Sequence, residues 1–281
     1  MFQPAIPLGG YAGWKVFERS VARQKEAFGD QAAVRRDLAY FNGKISSIRT
    51  PEDLVRDRRL LSVALGAFGL EDEINKKAFI RRALDEGVLD PRSFANRLND
   101  PRWRAFATAF SAENLALGRF ELSSAREDIS TRFIERSFER SVGDVDQNFR
   151  LAMNFRREIK AIASSANADR VGWLQIMGQR PLRAVVEAAL GLPSSIANLD
   201  IDKQRSLFEK KAEAVFGTAS PKAFLEDANV EQALRRFFAR SEIEAGPGAN
   251  TRGAAALSLL GGSALSAGAQ IGLIISNASA R

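Results

Sequence analysis

Apolar residues recur three and four positions apart along most of the chain, and alternating β-branched and aromatic runs are nearly absent. The first spacing puts side chains on one face of a helix, and the missing alternation removes the usual mark of a half-buried strand. An all-α fold follows. Phe68, Phe79, Phe94, Phe106, Phe110, Phe155, Phe208 and Phe224 sit at this spacing among Leu and Ala, so they read as core. Helix starts are marked where a capping side chain precedes proline, at Thr50-Pro51, Asp90-Pro91, Asp100-Pro101 and Ser220-Pro221. There the oxygen can accept an unpaired backbone N–H, while proline gives up a donor that had no partner. Helix stops are expected at Gly69, Gly87, Gly191 and Gly217.

Parts of the pattern occur twice. The words "VFERSV", Val16 to Val21, and "SFERSV", Ser137 to Val142, imply a shift of 121 residues, but little else matches at that shift. A shift of 114 aligns more: Gly29/Gly143, Asp30/Asp144, Arg36/Arg150, Phe41/Phe155, Ile45/Ile159 and Ile48/Ile162 coincide. Phe, Ile and Ile at i, i+4 and i+7 make one buried helical face, and a Gly-Asp pair suits a helix start. "LSVALGAFGL" ending at Leu70 then lies against "LRAVVEAALGL" ending at Leu192, and "DPRSF" at Asp90 against "SPKAF" at Ser220. These matches predict two related helical halves, residues 15–120 and 121–245, with an N-terminal arm over 1–14 and a Gly/Ala/Ser-rich tail over 246–281.

The tail carries no charge from Gly253 to Ala280. Its eight Leu and Ile would gain only about 3–5 kcal/mol at a bilayer centre, which its twelve Gly, Ser, Asn and Gln largely cancel. Membrane insertion is therefore not expected, and packing on the body or on another chain is. The N-terminus, with Pro4 and Pro7 and no basic stretch before an apolar run, is no Sec signal peptide.

Composition narrows the chemistry. There is no Cys and no His, so thiol and imidazole nucleophiles, imidazole bases and zinc or haem sites built on them are excluded. Gly9-Gly10-Tyr11-Ala12-Gly13-Trp14-Lys15 is glycine-rich but lacks the spacing of a phosphate-binding loop, and no strand precedes it. It reads as an extended arm with a Trp anchor. The carboxylate pairs Asp53/Asp57 and Glu135/Glu139 each have an Arg three residues away, at Arg56, Arg132 and Arg136, and read as surface ion pairs. No catalytic residue, cofactor or metal is expected. The formal charge is +7, yet cations and anions are interleaved, as in Arg56-Asp57-Arg58-Arg59. This favours a solvated face over a nucleic-acid stripe. Only Phe237-Phe238 beside Arg235-Arg236 comes near a base-stacking platform.

"PLGGYAGWK" at Pro7, "TPEDLVRDRRLLSVALGAFGLEDEI" at Thr50 and "TRGAAALSLL" at Thr251 resemble an uncharacterised bacterial family, domain of unknown function twelve-seventeen. The resemblance implies genes standing among flagellar rod and basal-body genes, and members with more than one copy of the domain. It supplies no catalytic residues. The expectation is a non-enzymatic interaction or assembly protein associated with the flagellum, in the cytoplasm or on that organelle, with rod or basal-body proteins as partners and a possible homo-oligomer. Its surfaces would be Tyr11 and Trp14 of the arm and Leu257, Leu259, Leu260, Leu265, Ile271, Leu273 and Ile274 of the tail. The alternative is a basic helical nucleic-acid-binding or regulatory protein resting on Arg56, Arg58, Arg59, Arg235 and Arg236.

Overall fold

A computed structural model describes residues 2–98 and 100–245, so the tail and its seven candidate residues lie outside the described residues. Every regular element described is helical. The long helices are α1 (Gly10–Gly29), α2 (Ala32–Lys44), α9 (Ser123–Val145), α10 (Gln147–Ala163), α13 (Ile201–Phe216) and α14 (Asp227–Ala245). Between α2 and α9 run α3 (Pro51–Arg56), α4 (Arg58–Gly66), α5 (Lys77–Glu86), α6 (Phe94–Arg97), α7 (Pro101–Phe110) and α8 (Ala112–Ala116). Between α10 and α13 come α11 (Trp173–Gly178) and α12 (Arg180–Leu190).

Most of the expected punctuation is in place. Thr50 accepts from the Asp53 amide, Asp100 from that of Arg102 and Ser220 from that of Lys222. Gly69, Gly87, Gly191 and Gly217 all have the positive φ that glycine tolerates best. After Gly69 the Leu70 amide reaches back to the Leu65 carbonyl at 3.0 Å, and after Gly191 the Leu192 amide reaches that of Glu187 at 2.8 Å. Both are the six-residue closure that satisfies a helix's last carbonyls.

Two expectations are corrected. Asp90-Pro91 starts no helix: Asp90 folds onto the Arg92 amide at 2.8 Å in a turn, and α6 begins only at Phe94. Gly29-Asp30 and Gly143-Asp144 mark helix ends, since Asp30 caps the C-terminus of α1 and Gly143 lies in the last turn of α9. The start that follows Gly143 uses Asp146 instead, which accepts from the Asn148 and Phe149 amides.

Two hydrophobic cores result. The smaller runs from Phe41 of α2 and Ile45 in the turn just after it to Ile129 of α9 and holds Leu54, Leu60, Ile80 and Phe106. The larger joins α1, Phe138 and Val142 of α9, and α10 to α14. Helix α1, assigned by sequence to the first half, thus packs in the core of the second. Helix α9 threads both cores, with Phe133 packed against each. Phe41 and Ile45 are fully buried in one core, as are Phe155 and Ile159 in the other.

The repeated words meet in space. Phe17 and Phe138 stack with centroids 6.5 Å apart and rings 8° from parallel. Glu18 pairs with Arg156, and Glu139 with Arg157. Two helices that flank the same consecutive arginines of α10 have arrived at the same surface, a Phe followed by a Glu.

Candidate interaction surfaces

From Gly10 onward the expected arm is helix. α1 starts at Gly10, so Tyr11, Trp14 and Phe17 lie three apart on one helical face. Gly13 permits this entry, because a Cβ there would collide with the Leu8 carbonyl. Trp14 is 2% exposed and meets the rings of Phe17, Phe149 and Phe238 at 5.7–5.8 Å. A side chain so enclosed has no face left for a partner, which corrects its reading as an anchor for another protein.

Above the Trp14 ring lies a charged clasp. Arg156 covers the ring at 5.7 Å and pairs with Glu18 of α1 and Glu231 of α14. Glu231 also accepts from the Tyr11 hydroxyl at 2.9 Å and from Lys15 at 3.2 Å. Tyr11 is half-buried and covered by Arg235 at 5.5 Å. Its polar tip therefore ties α1 to α14, and these contacts are internal.

Other expectations change in detail. The carboxylates are ion-paired or hydrogen-bonded, but with other partners: Arg56 takes Glu52 at 3.1 Å, Arg132 takes Asp128 at 2.9 Å, and Arg136 takes Glu158 at 2.9 Å. The candidate stacking platform is core, since Phe237 and Phe238 are buried beneath α14, and Arg236 is turned onto the Ala189 carbonyl.

Two open clefts bear on recognition. One, of about 310 Å³, is lined by Ala109, Phe120, Leu122, Ala125 and Ile129, with Arg119 and Asp128 at its edge. Leu122 in its wall is 62% exposed. The other, of about 790 Å³, lies where α2 ends against the start of α4 and is lined by Tyr40, Lys44, Ile48, Arg56, Arg58 and Arg59 with Asp53 and Asp57. Asp57 is its structural pivot. It accepts the Arg59 and Leu60 amides at the start of α4 and the Tyr40 hydroxyl at 2.7 Å.

Burial alone would raise the Asp57 pKa, but the hydrogen bonds from Leu60, Tyr40 and Arg59 outweigh it and hold the carboxyl below its ordinary value. A depressed carboxyl contributes stability above the unfolded-state pKa and loses it as pH falls through the folded one. Asp57→Ala should therefore cost about 1 kcal/mol at neutral pH. In urea titrations repeated down to acidic pH, the difference from wild type should vanish below the folded-state pKa. An equal deficit at every pH would show that ionisation of the carboxyl contributes nothing.

Among the described residues no group of three or more His, Cys, Asp or Glu is placed to hold a metal ion, and no helix is long and apolar enough to cross a membrane. A family model described as "Protein of unknown function (DUF1217)" matches residues 67–230. An X-ray crystal structure of protein AGR_C_984 from Agrobacterium tumefaciens is similar, with a TM-score of 0.69 and 27% identity over 87% of this chain and 100% of that one. No curated protein matches.

Proposed function

From the premise that this chain belongs to the DUF1217 family, we propose that it is a non-enzymatic interaction or assembly protein associated with the bacterial flagellum. The observation that carries the first half is how the cleft carboxylates are engaged. Asp53 accepts the Thr50 hydroxyl at 2.6 Å, Asp57 holds the start of α4 with Tyr40, and Asp128 pairs with Arg132. Carboxylates committed to caps and ion pairs hold the scaffold, and the clefts they frame offer cations and apolar walls for recognition. The second half rests on the resemblance, through the gene neighbourhood it implies.

The same proposal includes the duplication. It is supported by the shared order of elements, with Phe41 and Ile45 answering Phe155 and Ile159, and by the matching left-handed closures at Gly69 and Gly191. A duplicated helical unit doubles the surface available to an assembly without new chemistry.

The test is fractionation. Tagged full-length protein should co-purify with isolated basal bodies or their rod precursors, and a chain cut after Gly248 should do so less. Recovery only in fractions without flagellar components would contradict the assignment.

A further inference from the structure

The larger cleft permits a sharper statement, which rests on the interaction reading and names the chemistry of its partner. Its carboxylates face inward tasks, as described for Asp53 and Asp57. Two of its four cations are also satisfied: Arg56 by Glu52 at 3.1 Å, and Arg59 by Asp37 at 2.9 Å. The other two are not. Among the described residues Lys44 has no carboxylate within ion-pair distance, and Arg58 holds only the neutral Asn75 amide oxygen at 3.2 Å. Both are exposed, and half-buried Ile48, packed against the smaller core, adds an apolar side chain to the same lining.

The surroundings discriminate between polyanions. The Tyr40 ring is engaged by Arg59 at 4.6 Å and by Lys44 at 5.3 Å, so a stacking base competes with two cations for it. Asp53 and Asp57 line the same cleft, Asp37 and Glu52 are held by its Arg59 and Arg56, and Glu71-Asp72-Glu73 stands one residue before Asn75 in the sequence. A phosphate backbone carries charge continuously, about one per 1.7 Å in a duplex, and would run from these two cations into carboxylates. A short segment bearing two carboxylates beside an apolar side chain meets only what the cleft offers. Its Arg contact gains from the fork geometry of guanidinium and carboxylate.

We propose that this cleft docks a short acidic segment of a partner protein, its carboxylates pairing with Lys44 and Arg58 and a neighbouring apolar side chain covering Ile48. The probe is a fluorescein-labelled, C-terminally amidated peptide, Ser-Glu-Leu-Glu-Ser, titrated with the full chain by fluorescence anisotropy at low salt. Its Ser-Gln-Leu-Gln-Ser counterpart and a labelled single-stranded oligonucleotide of similar length serve as comparisons. Saturable binding of the acidic peptide is expected, at least tenfold tighter than either comparison. A K44E/R58E variant, checked for unchanged circular dichroism and melting because both positions are exposed, should lose at least tenfold. No saturable binding, unchanged binding by the variant, or tighter binding of the oligonucleotide would each overturn the proposal. Basal-body fractionation separates the two readings: a K44E/R58E chain that still co-purifies keeps the assembly role and loses this cleft.

Discussion

Trp14→Ala is expected to remove about 3–5 kcal/mol of stability, the range for emptying an aromatic site in a packed core. The indole is enclosed by Phe17, Phe149 and Phe238 on α1, α10 and α14, so its loss opens a void where three helices meet. It also uncovers Arg156, whose guanidinium lies over the ring while it clasps Glu18 and Glu231. Urea unfolding followed by circular dichroism measures the loss without relying on the fluorophore removed. For a chain of this size the melting temperature should fall by roughly 2–4 °C for each kcal/mol. Trp14→Phe, which keeps most of the apolar volume, should cost less. A loss below about 1 kcal/mol for the alanine variant, far under the usual core range, would mean that the first turn of α1 does not pack on the body, and would restore the arm.

Glu139→Ala is expected to cost about 3 kcal/mol, the lower end of the range for removing one member of a buried pair. Glu139 is 4% exposed and pairs with Arg157, which also reaches Glu158 at 3.0 Å. Arg136 shares Glu158, and its pKa is lowered first by burial and then by the nearby charge of Arg157. For Arg157 burial pulls in the same direction, but Glu139 and Glu158 together outweigh it and hold its pKa up. Without Glu139 two guanidinium groups would face a single carboxylate in a largely desolvated seam between α9 and α10. The double variant Glu139→Leu/Arg157→Leu should recover much of the loss, because no charge is then left without its partner. As a contrast, Glu244→Ala breaks the exposed Arg240–Glu244 pair at 3.1 Å and should cost about 0.5 kcal/mol or less. Equal effects at the two sites would show that burial does not set the energetics of these pairs.

Much of the scaffold was legible because local chemistry decided it. Thr50, Asp100 and Ser220 cap as their oxygens and following prolines predict, and four glycines end helices where a side chain would strain the backbone. Asp90 failed as a helix start because the same side chain closes a turn equally well, and the next residues favoured the turn. The arm failed for a different reason. Gly9, Gly10 and Gly13 disfavour helix by roughly 1 kcal/mol each, a weak preference that burial of one tryptophan among three phenylalanines exceeds. A signal was present in the spacing of Tyr11, Trp14 and Phe17, which carries the helical stripe across Gly13.

The two clefts were only half legible. Arg56, Arg58 and Arg59 stood out as a cluster, but Tyr40 and Lys44 join them through the turn between α2 and α3, a non-local pairing that spacing does not reveal. The repeated "FERSV" words carried information of another kind. They are two helix faces that converge on Arg156 and Arg157 of α10, with Phe17 stacked on Phe138. Their shift of 121 residues reflects where those faces touch.

The central claim, an assembly role in the flagellum, is tested most directly by swimming in soft agar. The strains needed are one lacking the gene and the same strain carrying either the full chain or a chain cut after Gly248. The account predicts loss of swimming on deletion, recovery with the full chain and impaired recovery with the truncated one. Normal swimming in the deletion strain and in the truncated strain would contradict it.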